Sequence, residues 1–232
     1  MEKKIYAIFV AGGSGLRMGT ATPKQFLKLA GKPVLLRTLQ RFLEAISELQ
    51  VLTVLPEAHF STWAALCREY HFEYPQRLVK GGITRFHSVK NALKFIPDDA
   101  LVLVHDGVRP NVSVELIRKV VDRAAEGDCV IPVIPVTDTL KCLIPSQNSG
   151  ELVESEEESP DRSRLFGAQT PQAFPAHLLK EAYDTPFLPS YTDDASVLRN
   201  KQIPLTYILG ERYNIKVTTP EDLDFLSKVY MK

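Results

Sequence analysis

V-A-G-G-S-G-L-R-M-G-T-A-T-P-K, from Val10 to Lys24, follows the apolar run Ile5–Val10, which reads as a buried strand. A buried strand that runs into small residues and then into cations describes a phosphate-binding loop. Gly12, Gly13 and Gly15 allow positive φ and close backbone approach to a ligand. Arg17 and Lys24 stand where they can neutralise phosphate oxygens, so the stretch predicts a nucleoside triphosphate site. Two commoner loops are excluded. A dinucleotide fingerprint needs G-x-G-x-x-G, but counting from Gly13 and Gly15 lands on Met18, with Gly19 one place late. A Walker loop needs Gly-Lys-Ser/Thr, which does not follow.

Outward from this loop, apolar runs alternate with helical patterns. Strands are predicted at 5–10, 51–55, 101–104, 129–133 and 205–209. Leu35, Leu36, Leu39, Phe42, Leu43 and Ile46 mark one helix face; Val89, Ala92, Leu93 and Ile96 mark a second; Val114, Ile117, Val120 and Val121 mark a third. Thr218-Thr219-Pro220-Glu221-Asp222 starts a last helix, with Leu223, Leu226 and Tyr230 toward the core. Such alternation implies crossover units, hence an α/β fold with a mostly parallel sheet covered on both faces. Ligands of these sheets sit beyond the carboxyl ends of the strands, where the glycine loop lies.

The 232 residues suffice for one such domain. Lys and Arg (28) balance Asp and Glu (28), so no basic surplus supports nucleic-acid binding. Cys67, Cys129 and Cys142 are odd in number and never spaced C-x-x-C, which argues against a disulfide framework or a cysteine zinc site. The N-terminal apolar run is too short for a signal peptide, and no stretch reaches the ~20 apolar residues of a membrane span. The expectation is a cytoplasmic protein without a membrane partner. One segment, 139–165, breaks the alternation: it is polar, and Glu154-Ser155-Glu156-Glu157-Glu158 is acidic. Leu140-Lys141-Cys142-Leu143-Ile144 and Glu151-Leu152-Val153-Glu154 could pair as a hairpin around a Ser/Asn/Gly turn, or the whole could be a disordered acidic loop.

Four further clusters carry chemistry. His105-Asp106-Gly107-Val108-Arg109-Pro110 follows a strand, which puts Asp106 where a magnesium ion on a triphosphate can be held; Arg109 suits a phosphate. A plain turn competes with that reading. Gly81-Gly82 precede Arg85 and Ser88, and Ser88 either touches the ligand or caps the following helix. Lys216, in Asn214-Ile215-Lys216-Val217-Thr218, reaches a phosphate or is solvated. In Tyr191-Thr192-Asp193-Asp194-Ala195-Ser196, Thr192 reads as the cap of a helix, a role that competes with substrate contact. His59, His71, His87 and His177 lack metal-like spacing.

In order along the chain stand A-G-G-S-G-L-R-M-G, P-K-Q-F, H-D-G-V-R-P, Q-T-P-Q (169–172), T-D-D-A-S and N-I-K-V-T-T-P-E-D-L. Together they resemble the 2-C-methyl-D-erythritol 4-phosphate cytidylyltransferases of the non-mevalonate isoprenoid pathway, over essentially the whole chain. The resemblance implies a Rossmann-like nucleotidyltransferase domain over 1–232, with a β-arm at about 139–165 that clasps a partner in a homodimer. It also implies transfer of CMP from CTP to the sugar phosphate, with Mg2+. By matched motif, Ala11, Gly12, Gly13, Ser14 and Gly15 would wrap the nucleotide, with Gly82, Ile83 and Ser88 at its base and ribose. Arg17, Lys24 and Lys216 would be the catalytic cations. Asp106 would lie near the metal and substrate hydroxyls. Arg109, Thr170, Thr192 and the partner subunit's Arg162 would hold the sugar phosphate. The chain departs from the family at Gly107 and Val108, where alanines are common, and at Ile83, where an acid is common, which leaves position 83 a backbone contact.

Three other functions compete: a ribitol 5-phosphate cytidylyltransferase, a non-catalytic nucleotide-binding protein, and a dehydrogenase. The T-D-D-A-S block, the full set of cations and the failed fingerprint argue against them in turn.

Overall fold

The computed structural model describes residues 3–13, 22–146, 151–155 and 160–230. In chain order its elements are β1 (Ile5–Val10), β2 (Lys28–Leu29), β3 (Lys32–Pro33), α1 (Val34–Ala45), β4 (Gln50–Leu55), α2 (Phe60–Glu69), β5 (Gln76–Lys80), α3 (Arg85–Leu93), β6 (Leu101–Asp106) and α4 (Val114–Ala125). There follow β7 (Val130–Pro135), β8 (Leu143–Pro145), β9 (Leu152–Glu154), β10 (Phe166–Ala168), β11 (Gln172–Pro175), α5 (Ala176–Tyr183), α6 (Asp194–Asn200), β12 (Thr206–Leu209) and α7 (Pro220–Tyr230).

Eight strands form the central sheet, and β1 lies inside it, parallel to β4 on one side and β6 on the other. β5 extends the parallel set beyond β4, and β12 runs parallel to β7. β11 runs antiparallel to both β6 and β7, and β10 antiparallel to β7, so the sheet is mixed but mostly parallel. The α/β expectation holds, and all five expected strands are present. The antiparallel insertion was not foreseen. Gln172-Ala173-Phe174-Pro175 is short and bounded by prolines, and β5, Gln-Arg-Leu-Val-Lys, is an edge strand with charged residues, so neither carries the apolar run of a central strand.

Alternation along each strand divides the core. Ile8, Val54, Val102 and Val104 pack with α3, α5 and α6, whereas Ala7, Phe9, Leu101 and Leu103 pack with α1, α2 and α4. Each fully buried Val, Leu, Ile or Phe among them contributes roughly 1.5–3 kcal/mol, so both sheet faces are committed and the register is pinned. The ends of the strands are the surface left for ligands.

Helix starts differ from two expectations. Ser88 does not cap α3: Thr84 does, accepting from the His87 N–H, and Ser88 lies one turn inside. Thr192 does not cap α6: Asp193 does, its carboxylate accepting from Ser196 N–H at 2.9 Å while the Ser196 hydroxyl accepts from Asp193 N–H. A carboxylate with extended φ of −150° outcompetes the preceding threonine for that role. The expected last helix begins at Pro220, and the Asp222 carboxylate accepts from the N–H groups of Thr218 and Thr219.

The hairpin expected in 139–165 is present as β8 and β9, antiparallel and beginning at Leu143 rather than Leu140. Its apolar residues Leu143, Ile144, Leu152 and Val153 are all exposed. Lys141 and Glu154 pair across its base at 3.0 Å.

Candidate active site

The carboxyl ends of β1 and β6, the turn before α3 and the segment before α7 enclose a cavity of about 460 Å³. Ala11, Gly12, Gly13, Lys24, Gly82, Ile83, Ser88, Asp106 and Lys216 line it, so the structure gathers nine of the expected site residues from five separate stretches of chain. Ser14, Gly15 and Arg17 fall outside the described residues.

The glycines act differently from expectation. Gly12 and Gly13 do not adopt positive φ; among the described residues the positive-φ glycines are Gly31 and Gly127. A Cβ at Gly12 or Gly13 would meet Ser88 Oγ at 4.0 Å or Lys24 Cε at 3.8 Å, ordinary contacts. Their service is an open floor against which a ligand can lie. Gly82 is sterically required, because a Cβ there would come within 2.3 Å of His87 Cβ. Its N–H donates to Ser88 Oγ at 3.1 Å, and Ser88 in turn donates to Thr84 O at 3.0 Å, which fixes the turn. Ile83 is 96% exposed at the rim.

Asp106 is the electrostatic centre. Its Oδ2 lies 3.0 Å from Arg109 Nε and 3.1 Å from Lys216 Nζ, and its Oδ1 lies 3.7 Å from Arg85 Nε. Burial opposes its charge, but Arg85, then Lys216 and Arg109, outweigh burial and hold the carboxyl below the usual carboxylate range. Lys24, itself buried, donates to Val217 O at 3.0 Å and so ties the glycine-loop side to the segment before α7. Among the described residues three cations and one carboxylate therefore line the cavity, which suits a polyanion.

Thr170 is engaged from behind: its hydroxyl accepts from Asp106 N–H at 3.1 Å and lies 3.0 Å from His105 Nδ1. Arg109 also donates to Asn214 O at 2.8 Å. Two expected residues lie elsewhere. Thr192 borders a second cavity of about 710 Å³, between α6 and strands β7, β10 and β12. Arg162, at the base of the arm, donates to Thr137 O at 2.8 Å.

Several site residues escaped sequence reading. His105 is wholly buried beside Asp106, and burial lowers its imidazole to about 3. Gln25 lines the cavity at 1% exposure, with neither amide atom partnered among the described residues. Arg85 lines it too, with Nη1 buried and unpartnered in the same sense. Their only sequence signal was proximity to a motif: Gln25 follows Lys24, His105 precedes Asp106, and Arg85 follows Gly81-Gly82.

A family model for 2-C-methyl-D-erythritol 4-phosphate cytidylyltransferase matches residues 5–232. The chain belongs to that family. A Porphyromonas gingivalis member is 46% identical over 224 residues, covering 96% of each chain. A Bacteroides thetaiotaomicron member is 45% identical over 216 residues, 93% of this chain and 94% of that one. Among solved structures, a 4-diphosphocytidyl-2C-methyl-D-erythritol synthase from Anaerococcus prevotii superposes with a TM-score of 0.78 at 28% identity, covering 99% of this chain and 97% of that one. The Thermus thermophilus cytidylyltransferase gives 0.70 at 28% identity over the full length of both.

Gly107 has a packing basis: a Cβ there would lie 2.9 Å from Leu35 Cδ1 and 3.0 Å from Ala11 Cβ, so the missing side chain makes room for both. Among the described residues no helix is long and apolar enough to cross a membrane, and no group of three His, Cys, Asp or Glu could hold a metal.

Proposed function

We propose that this nucleotidyltransferase moves CMP from CTP to the phosphate of 2-C-methyl-D-erythritol 4-phosphate in the 460 Å³ cavity, releasing pyrophosphate. The convergence of Lys24, Arg85 and Lys216 on that cavity, around the carboxylate of Asp106, carries the reading. A phosphate monoester is already an anion near neutral pH, so its oxygen can attack the α-phosphorus in line without a general base. The protein must instead hold two anions together and stabilise charge on the leaving pyrophosphate. Lys24 and Arg17 serve the triphosphate, and Lys216 serves the α-phosphate once a ligand draws it off Asp106. Ala11, Gly12, Gly13, Ser14 and Gly15 wrap the nucleotide; Gly82, Ile83 and Ser88 flank base and ribose. Arg109 and Thr170, which meet beside Asp106, hold the sugar phosphate, joined by Arg162 from a second copy; Thr192, at the second cavity, is left out of this set. The orphaned amide of Gln25 is the type of group a polar ligand satisfies.

A resident metal cage does not fit here, because among the described residues Asp106 stands alone among three cations. Mg2+ fits as a companion of the triphosphate, with Asp106 beside it. When bound, the ion screens the phosphate charges and favours departure of pyrophosphate. The exposed apolar residues of β8 and β9 support an arm that packs on a partner, since a lone two-stranded hairpin is marginal in water. The chain thus works as one domain plus a dimerising arm, and its three free cysteines suit the reducing cytoplasm.

The test is pyrophosphate release from CTP and Mg2+ with methylerythritol 4-phosphate and ribitol 5-phosphate offered in parallel. Release with the first is expected. Release with the second alone would move the substrate assignment, and tight CTP binding without release from either would leave a binding protein.

A further inference from the structure

Asp194 is a fully buried carboxylate that the reaction above does not use. Its Oδ2 accepts from Arg85 Nη2 at 2.6 Å and its Oδ1 from the Tyr183 hydroxyl at 2.6 Å, so both oxygens are pinned from different helices. Arg85 turns its Nε toward Asp106 Oδ1, 3.7 Å away, while Oδ2 of Asp106 belongs to Arg109 and Lys216. One planar guanidinium therefore spans from the start of α6 to the end of β6.

Stability does not account for this arrangement. A buried ion pair loses hydration that packed apolar side chains would not, and such replacements are often neutral or stabilising. What a guanidinium adds is direction, because its donors leave one rigid plane at fixed angles. With Asp194 immobile, Arg85 cannot swing after an incoming phosphate, so Asp106 keeps a cation behind Oδ1 when ligand draws Lys216 off Oδ2.

On the reading that Asp106 serves CMP transfer, we propose that Arg85 is a positioning residue for Asp106, and that Asp194 is the anchor that aims it. The second acid of Thr192-Asp193-Asp194 thus acts on the nucleotide cavity from behind, through α3, without touching substrate.

Arg85→Lys carries the test, because it keeps the charge beside Asp194 but not the fork that reaches Asp106. Turnover in saturating CTP and methylerythritol 4-phosphate is measured together with KM and thermal midpoint. The expected result is a kcat lower by about 10- to 100-fold, the usual cost of losing a group that orients a functional one, with KM for CTP within about threefold and a folded protein. Asp194→Asn should lower kcat similarly, and the double variant should lose little more than either single, since both break one chain of contacts. Tyr183→Phe is the control: it removes one hydrogen bond to Asp194, lowers the thermal midpoint and leaves kcat within about twofold. Wild-type kcat in Arg85→Lys overturns the inference, as do kcat losses that track the thermal midpoint across all variants including Tyr183→Phe. A wild-type protein that releases no pyrophosphate would instead overturn the functional reading on which the inference rests.

Discussion

His105 should make this fold acid-labile before its carboxylates begin to titrate. The ring is wholly buried, 4.7 Å from the Phe42 ring by centroids. Its Nε2 lies 3.2 Å from Arg109 O, and its Nδ1 lies 3.0 Å from Thr170 Oγ1. A carbonyl only accepts, so Nε2 carries the proton and Nδ1 accepts from the Thr170 hydroxyl. That hydroxyl in turn accepts from Asp106 N–H, so protonating Nδ1 would force the hydroxyl to turn its hydrogen away from the ring. Burial is the main cause of the lowered value of about 3, with Arg109 and Lys216 pressing the same way against the opposing Asp106. The unfolded imidazole takes up its proton near pH 6.5, far above the folded one. Because the folded value is depressed, this stability is fully present above pH 6.5 and is lost as pH falls toward 3. The slope approaches 1.4 kcal/mol per pH unit, so His105 removes roughly 2 kcal/mol between pH 7 and pH 5. Urea midpoints at the two pH values test this, with His105→Gln as the comparison: it keeps a donor and an acceptor but cannot be charged. The variant should be less stable at pH 7, having lost its ring contacts with Phe9 and Phe42, yet its further loss on going to pH 5 should be smaller by roughly 2 kcal/mol. Equal acid losses in both proteins would refute the reasoning.

Lys24→Ala should cut kcat by roughly 10²–10³, the cost of one preorganised electrostatic group, while circular dichroism reports an intact fold; near-normal turnover would remove Lys24 from the mechanism. Gly82→Ala should lower the thermal midpoint and raise KM for CTP, because its Cβ would meet His87 Cβ at 2.3 Å and the His87 backbone carbon at 2.9 Å; a midpoint and KM matching wild type would contradict the packing. Replacing 141–155 with a short Gly-Ser loop should yield a folded monomer in sedimentation velocity with depressed turnover, whereas an unchanged oligomeric state would show that the arm is not the dimer contact.

The sheet was legible where buried strands are uniformly apolar, as in Ile5–Val10 and 101–104, and where helix faces repeat at three and four. The antiparallel β10 and β11 were not, because strands of three and four residues, the second set between prolines, carry no periodicity. Nine of the expected site residues meet in one cavity because each sat beside a local signal, a glycine turn or a strand end. Roles that depend on partners far along the chain left no such trace. Asp193 and Asp194 are adjacent and chemically identical, yet one caps a helix and the other is buried against Arg85, 109 positions away. Likewise Ser88 looked like a cap, and only the turn of Gly82 over α3 shows that its hydroxyl holds a backbone N–H. The sequence by itself determined the α/β class and the glycines and cations from which the proposed phosphate site is built, because those are written in residue type and short-range order. The tertiary structure alone decided which acid faces which cation, since charge, hydrogen-bond partner and burial are set by contacts between stretches that the chain keeps far apart.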